Sequence, residues 1–192
     1  MYKKVLFFAL LNSFLFISCK PTSEHPDSYF DSLVVAQVRS LTAAKAHLSK
    51  TARIRNREDQ ATFTPDSAVW DSELDIFRQL SVFEKPAYRD AYKVRDRIQD
   101  PKSNLFIRWF KASKNVPVRE MKFYYLGQFK HLKKLEASYH EENTLYSTKL
   151  FLWMEFDDIN SRMVLDKYGM EGIQKMVLSD SVPFSIKSSI SF

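Results

Sequence analysis

Apolar positions recur along this chain in two rhythms, and the change from one to the other divides it. From Ser28 onward Phe30, Leu33, Val34, Val38, Leu41, Ala44, Leu48 and Ala52 return at intervals of three and four residues. That spacing lays an apolar stripe along one face of a helix. Ser28-Tyr29-Phe30-Asp31 opens the run with the spacing of a capping box. The pattern predicts one long helix over about 28–55, with His47 at the edge of its stripe and Arg53, Arg55 and Arg57 crowding its basic end. A second helix is expected from Thr64-Pro65-Asp66, with the proline in its first turn and Trp70, Leu74 and Phe77 on one face. Pro86 closes that segment, and 87–92 reads either as one more helical turn or as a connector.

From about Lys93 the period shortens to two. Leu105, Ile107 and Trp109 alternate with Phe106, Arg108 and Phe110, and Met121, Phe123 and Tyr125 alternate with Glu120, Lys122 and Tyr124. Leu135, Ala137 and Tyr139 continue the rhythm, as do Leu150, Leu152, Met154 and Phe156. In the last segment Val182, Phe184, Ile186, Ile190 and Phe192 face one way, while Ser185, Lys187, Ser189 and Ser191 face the other. Alternation of this kind describes antiparallel strands with one wet face. Turn signals separate them at 114–117, 127–128, 141–143, 157–160, 168–172 and 179–181. The expected fold class is α+β: N-terminal helices packed on an antiparallel meander of about six to eight strands. Residues 27–192 form a single domain, helical over 27–92 and β-rich over 93–192.

Composition changes that picture mainly by restriction. With 192 residues, 45% hydrophobic and 15% aromatic, the chain can build a real core. Its 29 basic and 23 acidic residues leave a formal charge of +6, and the two signs are interleaved. A solvated surface near anionic lipids or glycans suits that balance, and a nucleic-acid footprint does not.

The first residues follow a different logic. Lys3 and Lys4 precede an apolar stretch, Val5–Leu11 and then Phe14–Ile17, which is the layout of a secretory signal and is short for a membrane span. Leu15-Phe16-Ile17-Ser18 then stands immediately before Cys19, the single cysteine of the chain. This stretch resembles the lipobox of bacterial lipoprotein precursors. It departs from the family pattern in having Phe16, where an aliphatic residue is usual, with Leu15 one place earlier. The resemblance implies that 1–18 is a signal peptide, that Cys19 is acylated, and that 19–26 is the lipidated cysteine and its tether. It also implies residence in the bacterial cell envelope, anchored to a membrane. More than one acyl chain holds a protein there durably. The alternative is an ordinary cleaved signal that leaves a free protein with one thiol.

The search for chemistry returns few motifs. Three glycines, Gly127, Gly169 and Gly172, cannot build a dinucleotide fingerprint, a phosphate loop or a nucleophile elbow. Thr144 stands where a helical zinc motif beginning at His140 needs its second histidine, and Asp157-Asp158-Ile159-Asn160 lacks the glycine and glutamate of a calcium loop. Glu136 and Glu155 are conceivable paired carboxylates, although solvated sheet surface explains them as well. No metal, cofactor or catalytic residue is expected.

One feature rises above this background. Phe151 and Trp153 lie opposite Leu150, Leu152 and Met154 on one strand, and Tyr124 lies opposite Phe123 and Tyr125 on another, so parts of the sheet are apolar on both faces. Large bare apolar patches are uncommon on soluble domains. Tyr124, Phe151 and Trp153 are therefore the candidate ligand-binding residues. The expected function is a noncatalytic, membrane-anchored envelope lipoprotein that binds a lipid or other apolar ligand, a peptide or an envelope protein. The other readings are an assembly subunit of an envelope complex and a hydrolase without a recognisable motif.

Overall fold

The computed structural model describes residues 28–177 and 179–192. The signal, Cys19 and the tether lie outside them. Helix α1 (Tyr29–Ala43) is followed by strands β1 (His47–Ile54) and β2 (Arg57–Phe63) and by helix α2 (Ser67–Arg78). Two 3₁₀ turns, Gln79–Glu84 and Pro86–Ala91, lead into β3 (Tyr92–Gln99) and β4 (Phe106–Ala112). Then come β5 (Val118–Tyr125), β6 (Leu132–Glu142), β7 (Tyr146–Ile159), β8 (Arg162–Met176) and β9 (Val182–Ser191). All nine strands join one antiparallel sheet in the order β2-β1-β9-β8-β7-β6-β5-β4-β3. The antiparallel meander with helices is as expected. The strand count is higher than six to eight, because the β1–β2 hairpin extends the sheet beyond β9.

That hairpin occupies sequence expected to be helical. The Ser28 hydroxyl does cap α1 by accepting from the Asp31 amide at 3.0 Å. The helix stops at Ala43, however, in a Schellman motif: Ala46 donates to the Leu41 carbonyl and Lys45 to the Thr42 carbonyl, both at 3.1 Å. Lys45 takes the left-handed position with φ 51°. Leu48 and Ala52 continue the helical spacing of α1, yet with Lys50 they also fit a period of two. The strand prevails because Leu48 is fully buried opposite Ile190 of β9. His47 accordingly begins a strand, with Nδ1 2.7 Å from the Thr64 hydroxyl. Asp66 caps α2 by accepting from the Val69 amide at 2.8 Å, which leaves Pro65 just before the helix rather than in its first turn.

A second correction concerns 168–172, expected to be a turn. These residues run through the middle of β8, and both glycines serve packing. A Cβ on Gly169 would lie 2.7 Å from the Trp153 ring, and one on Gly172 would lie 2.8 Å from Leu150 Cδ2. The turn between β7 and β8, expected over 157–160, is the pair Asn160-Ser161, with φ of 52° and 61°, the two positive angles of a tight type I′ hairpin.

Both helices lie on one face of the sheet. Phe30, Val34 and Leu41 of α1 and Trp70, Leu74 and Phe77 of α2 are buried against Met121, Leu135, Leu152, Met154, Leu165 and Tyr168. Each such side chain contributes about 1.5–3 kcal/mol when fully buried. Polar contacts set the registration of helices on strands. Glu73 of α2 receives Lys50 Nζ at 2.7 Å and the Tyr168 hydroxyl at 2.9 Å, which ties the helix to β1 and β8. Gln37 of α1 donates to the Met163 carbonyl at 3.2 Å and accepts from the Leu165 amide at 2.8 Å. Among the described residues no helix covers the opposite face of the sheet, and that face carries the candidate site.

Candidate functional site

Strand pairing lays the uncovered face out in rows, because directly opposed residues on successive strands point the same way. One row crosses all nine strands: Arg95, Trp109, Lys122, Glu136, Trp153, Gly169, Lys187, Thr51 and Gln60. The next row toward the β6–β7 turn includes Ser138, Phe151, Glu171, Ser185 and Arg53. A further row holds His140, Lys149, Ile173 and Pro183, whose carbonyl accepts from the Arg55 amide at 3.0 Å.

The last two rows line a cavity of about 720 Å³ that also takes in Arg55, Arg119 and Lys187. Its walls come from β1, β9, β8, β7, β6 and β5, six consecutive neighbours in the sheet. Register shifts at Val118–Glu120, Tyr124–Tyr125 and Glu155–Phe156 mark where the strands bend.

The apolar floor is open to solvent, with Phe151 39% exposed and Ile173 49% exposed. Basic groups surround it. Lys187 stands 3.4 Å from Glu171, the one carboxylate in the lining, and Arg53 pairs with Glu58. Arg55, Arg119 and Lys149 make no ion pair among the described residues. Arg119 Nη2 lies 3.5 Å from His140 Nδ1, and with the guanidinium donating, that nitrogen is the acceptor of the ring. His140 Nε2 lies 3.4 Å from the Ser147 hydroxyl and 3.7 Å from Glu142.

The three residues singled out from the sequence share this face and divide among its parts. Phe151 lies in the cavity. Trp153 is in the adjoining row, beside a smaller hollow of about 360 Å³ that also takes in Ser49, Thr51, Gln60, Thr62 and Ser189. Tyr124 sits farther along, donating to Glu136 at 2.7 Å; burial first, and then that carboxylate, raise the phenol's pKa. The sheet does not bring Tyr124 into the cavity with Phe151. Glu136 and Glu155 do meet on adjacent strands, but Lys134 stands between them, 3.0 Å from one and 3.3 Å from the other. That arrangement is a three-charge cluster, unlike a pair of carboxylates facing across a substrate.

A separate nook of about 300 Å³ lies near the β3 edge, where Trp109 is ringed by Arg95, Lys111 and Lys122 at 5.5–5.7 Å from its centroid. Among the described residues, no group of three or more His, Cys, Asp and Glu side chains converges as a metal site would require, and no helix is long and apolar enough to cross a membrane.

The cavity's basic residues went unread in the sequence. Arg53 and Arg55 stand at the basic end of the expected helix, and nothing in the local pattern singles out Arg119 or Lys149. Their one signal is the pairing register, which a single chain does not display. Comparison with protein-family models, with curated proteins and with solved structures finds no match.

Proposed function

We propose that this chain is a membrane-anchored envelope lipoprotein that binds an apolar or amphiphilic ligand on its uncovered sheet face and carries out no catalysis. One observation supports this reading above the rest. A cavity of about 720 Å³, within the range of small-molecule sites, has a solvent-exposed Phe151 in its floor and stands on the face that neither helix covers. The anchor rests on the leader, where the residues before Cys19 resemble a lipobox.

Two measurements test the parts separately. Radiolabelled palmitate is expected to enter the wild-type chain and to be lost in Cys19→Ser. Native mass spectrometry of the mature chain, released gently from its membrane, is expected to show a population heavier by one lipid-sized adduct. A chain that is empty and monomeric argues against ligand binding, and a discrete larger complex points to an assembly subunit instead.

A further inference from the structure

The charge of the cavity narrows the class of ligand, on the premise that the uncovered face binds one. Within the lining, Lys187 is matched by Glu171 and Arg53 by Glu58. Arg55, Arg119 and Lys149 remain, with no carboxylate of the described residues as a partner, around a floor that includes Phe151, Ile173 and Pro183.

The placement of these cations gives the site two ends. Arg119 comes from β5 and reaches His140 on β6, while Lys149 and Ile173 are directly opposed across β7 and β8. Arg55 closes the far wall from the β1–β2 turn, held by the Pro183 carbonyl. An apolar molecule alone would cover the half-buried Arg119 beside Lys149 without supplying a counter-charge, which is unfavourable. A small anion alone would leave Phe151 and Ile173 bare. An amphiphile that carries an acidic head satisfies both halves at once, because charge-assisted hydrogen bonds from arginine and lysine hold the head while the chain covers the floor.

We infer that the cavity between β1 and β5 binds a single-chain amphiphile with an acidic headgroup, the head held by Arg119 and Lys149 and the chain laid over Phe151 and Ile173 toward Arg55. The Arg119 guanidinium supplies paired N–H donors that match the oxygens of an acidic head such as a phosphate, and Lys149 supplies a point charge.

The test uses the mature chain carrying Cys19→Ser, so that no acyl group of its own competes, and reads binding by titration calorimetry. Three probes separate the possibilities: oleoyl lysophosphatidic acid, monooleoylglycerol with the same chain and no charge, and glycerol 3-phosphate with the head alone. The charged lipid is expected to bind at least about tenfold more tightly than the neutral one, and to lose affinity as salt rises. Glycerol 3-phosphate is expected to bind far more weakly than either.

In the double variant Arg119→Gln, Lys149→Gln, affinity for the charged lipid is expected to fall by about tenfold, a much larger loss than for monooleoylglycerol. An unaltered thermal midpoint shows that the variant is folded, and Phe151→Ser should weaken both lipids. Equal affinity for the two lipids overturns the acidic class and leaves the apolar-ligand reading standing. Glycerol 3-phosphate binding as tightly as the charged lipid overturns the amphiphile. If neither lipid binds and native spectra show an empty chain, both readings fall.

Discussion

The indole of Trp153 lies across Gly169, its directly opposed neighbour on β8, so closely that a single added methyl would meet the ring at 2.7 Å and the Ile186 carbonyl oxygen at 2.6 Å. The glycine is there because the tryptophan occupies the space a side chain would take. Gly169→Ala must therefore push both the ring and a backbone carbonyl. Overpacking of this kind costs about 1–3 kcal/mol. The expected outcome is a lower urea midpoint with an altered near-ultraviolet dichroism signal from the displaced indole. A variant as stable as wild type would show that the ring moves freely.

Helix α1 ends with Lys45 at φ 51°, a conformation in which an L side chain crowds its own backbone. Left-handed residues other than glycine cost about 1–2 kcal/mol. Lys45→Gly removes that strain while both Schellman hydrogen bonds, which use main-chain groups only, persist. Glycine also gives the unfolded chain more freedom, which takes back part of the gain. A net stabilisation of about 0.5–1 kcal/mol is expected by chemical denaturation, and a loss of stability would mean that the lysine side chain contributes a contact of its own.

Much of the architecture can be read from the residues, and the failures have identifiable causes. The start of α1 at Ser28, the buried face of α2 and the facing of β5, β7 and β9 all follow from short-range spacing. The end of α1 does not, because a lysine fills a place where glycine would have marked the stop, and Leu48 and Ala52 satisfy both periods. Gly169 and Gly172 look like turn residues when the neighbours that crowd them, Trp153, Leu150 and Phe184, are unknown.

The candidate site divides along the same line. That Phe151 and Trp153 share a face opposite Leu152 is a matter of parity along one strand. That Arg53 and Arg119 line the same cavity depends on six strands pairing in order, through contacts between residues far apart in sequence. Local pattern carries no record of such pairing.

Gln37 is 2% exposed and does for β8 what a neighbouring strand would do. Pairing between β8 and β9 extends only as far as Lys167 and Ser189, so Met163 and Leu165 have no β9 partners. The Gln37 amide supplies both a donor and an acceptor at this point. Gln37→Leu keeps the volume and strands a buried carbonyl and amide, each costing about 1–3 kcal/mol. The measured loss is expected to be at least 2 kcal/mol or so, with the Leu165 amide exchanging faster. Gln37→Glu keeps the acceptor for Leu165 but sets its other oxygen against the Met163 carbonyl and buries a charge, so it should be no more stable than Gln37→Leu. Equal stability of all three proteins would refute this role.

At the β3 edge, Asp96 holds an irregular stretch of strand together. Its carboxylate accepts from Arg108 at 2.6 Å, from the Tyr125 hydroxyl at 2.8 Å and from the Arg97 amide at 2.9 Å, next to the register shift between Arg95 and Ile98. The Arg108 hydrogen bond is the foremost reason that the carboxyl titrates at about 2 rather than at its ordinary 3.8. A carboxylate whose folded pKa is depressed contributes stability that is complete above the unfolded value and is lost as pH falls through the folded one. Asp96→Asn is therefore expected to be less stable than wild type at pH 5 to 7, with the gap closing between about pH 4 and pH 2. The side chain is 39% exposed, so solvent screening holds the gap to about 1 kcal/mol or less. Urea midpoints measured for both proteins across that range check it. A gap that stays constant down to pH 2 would assign the loss to packing rather than to charge.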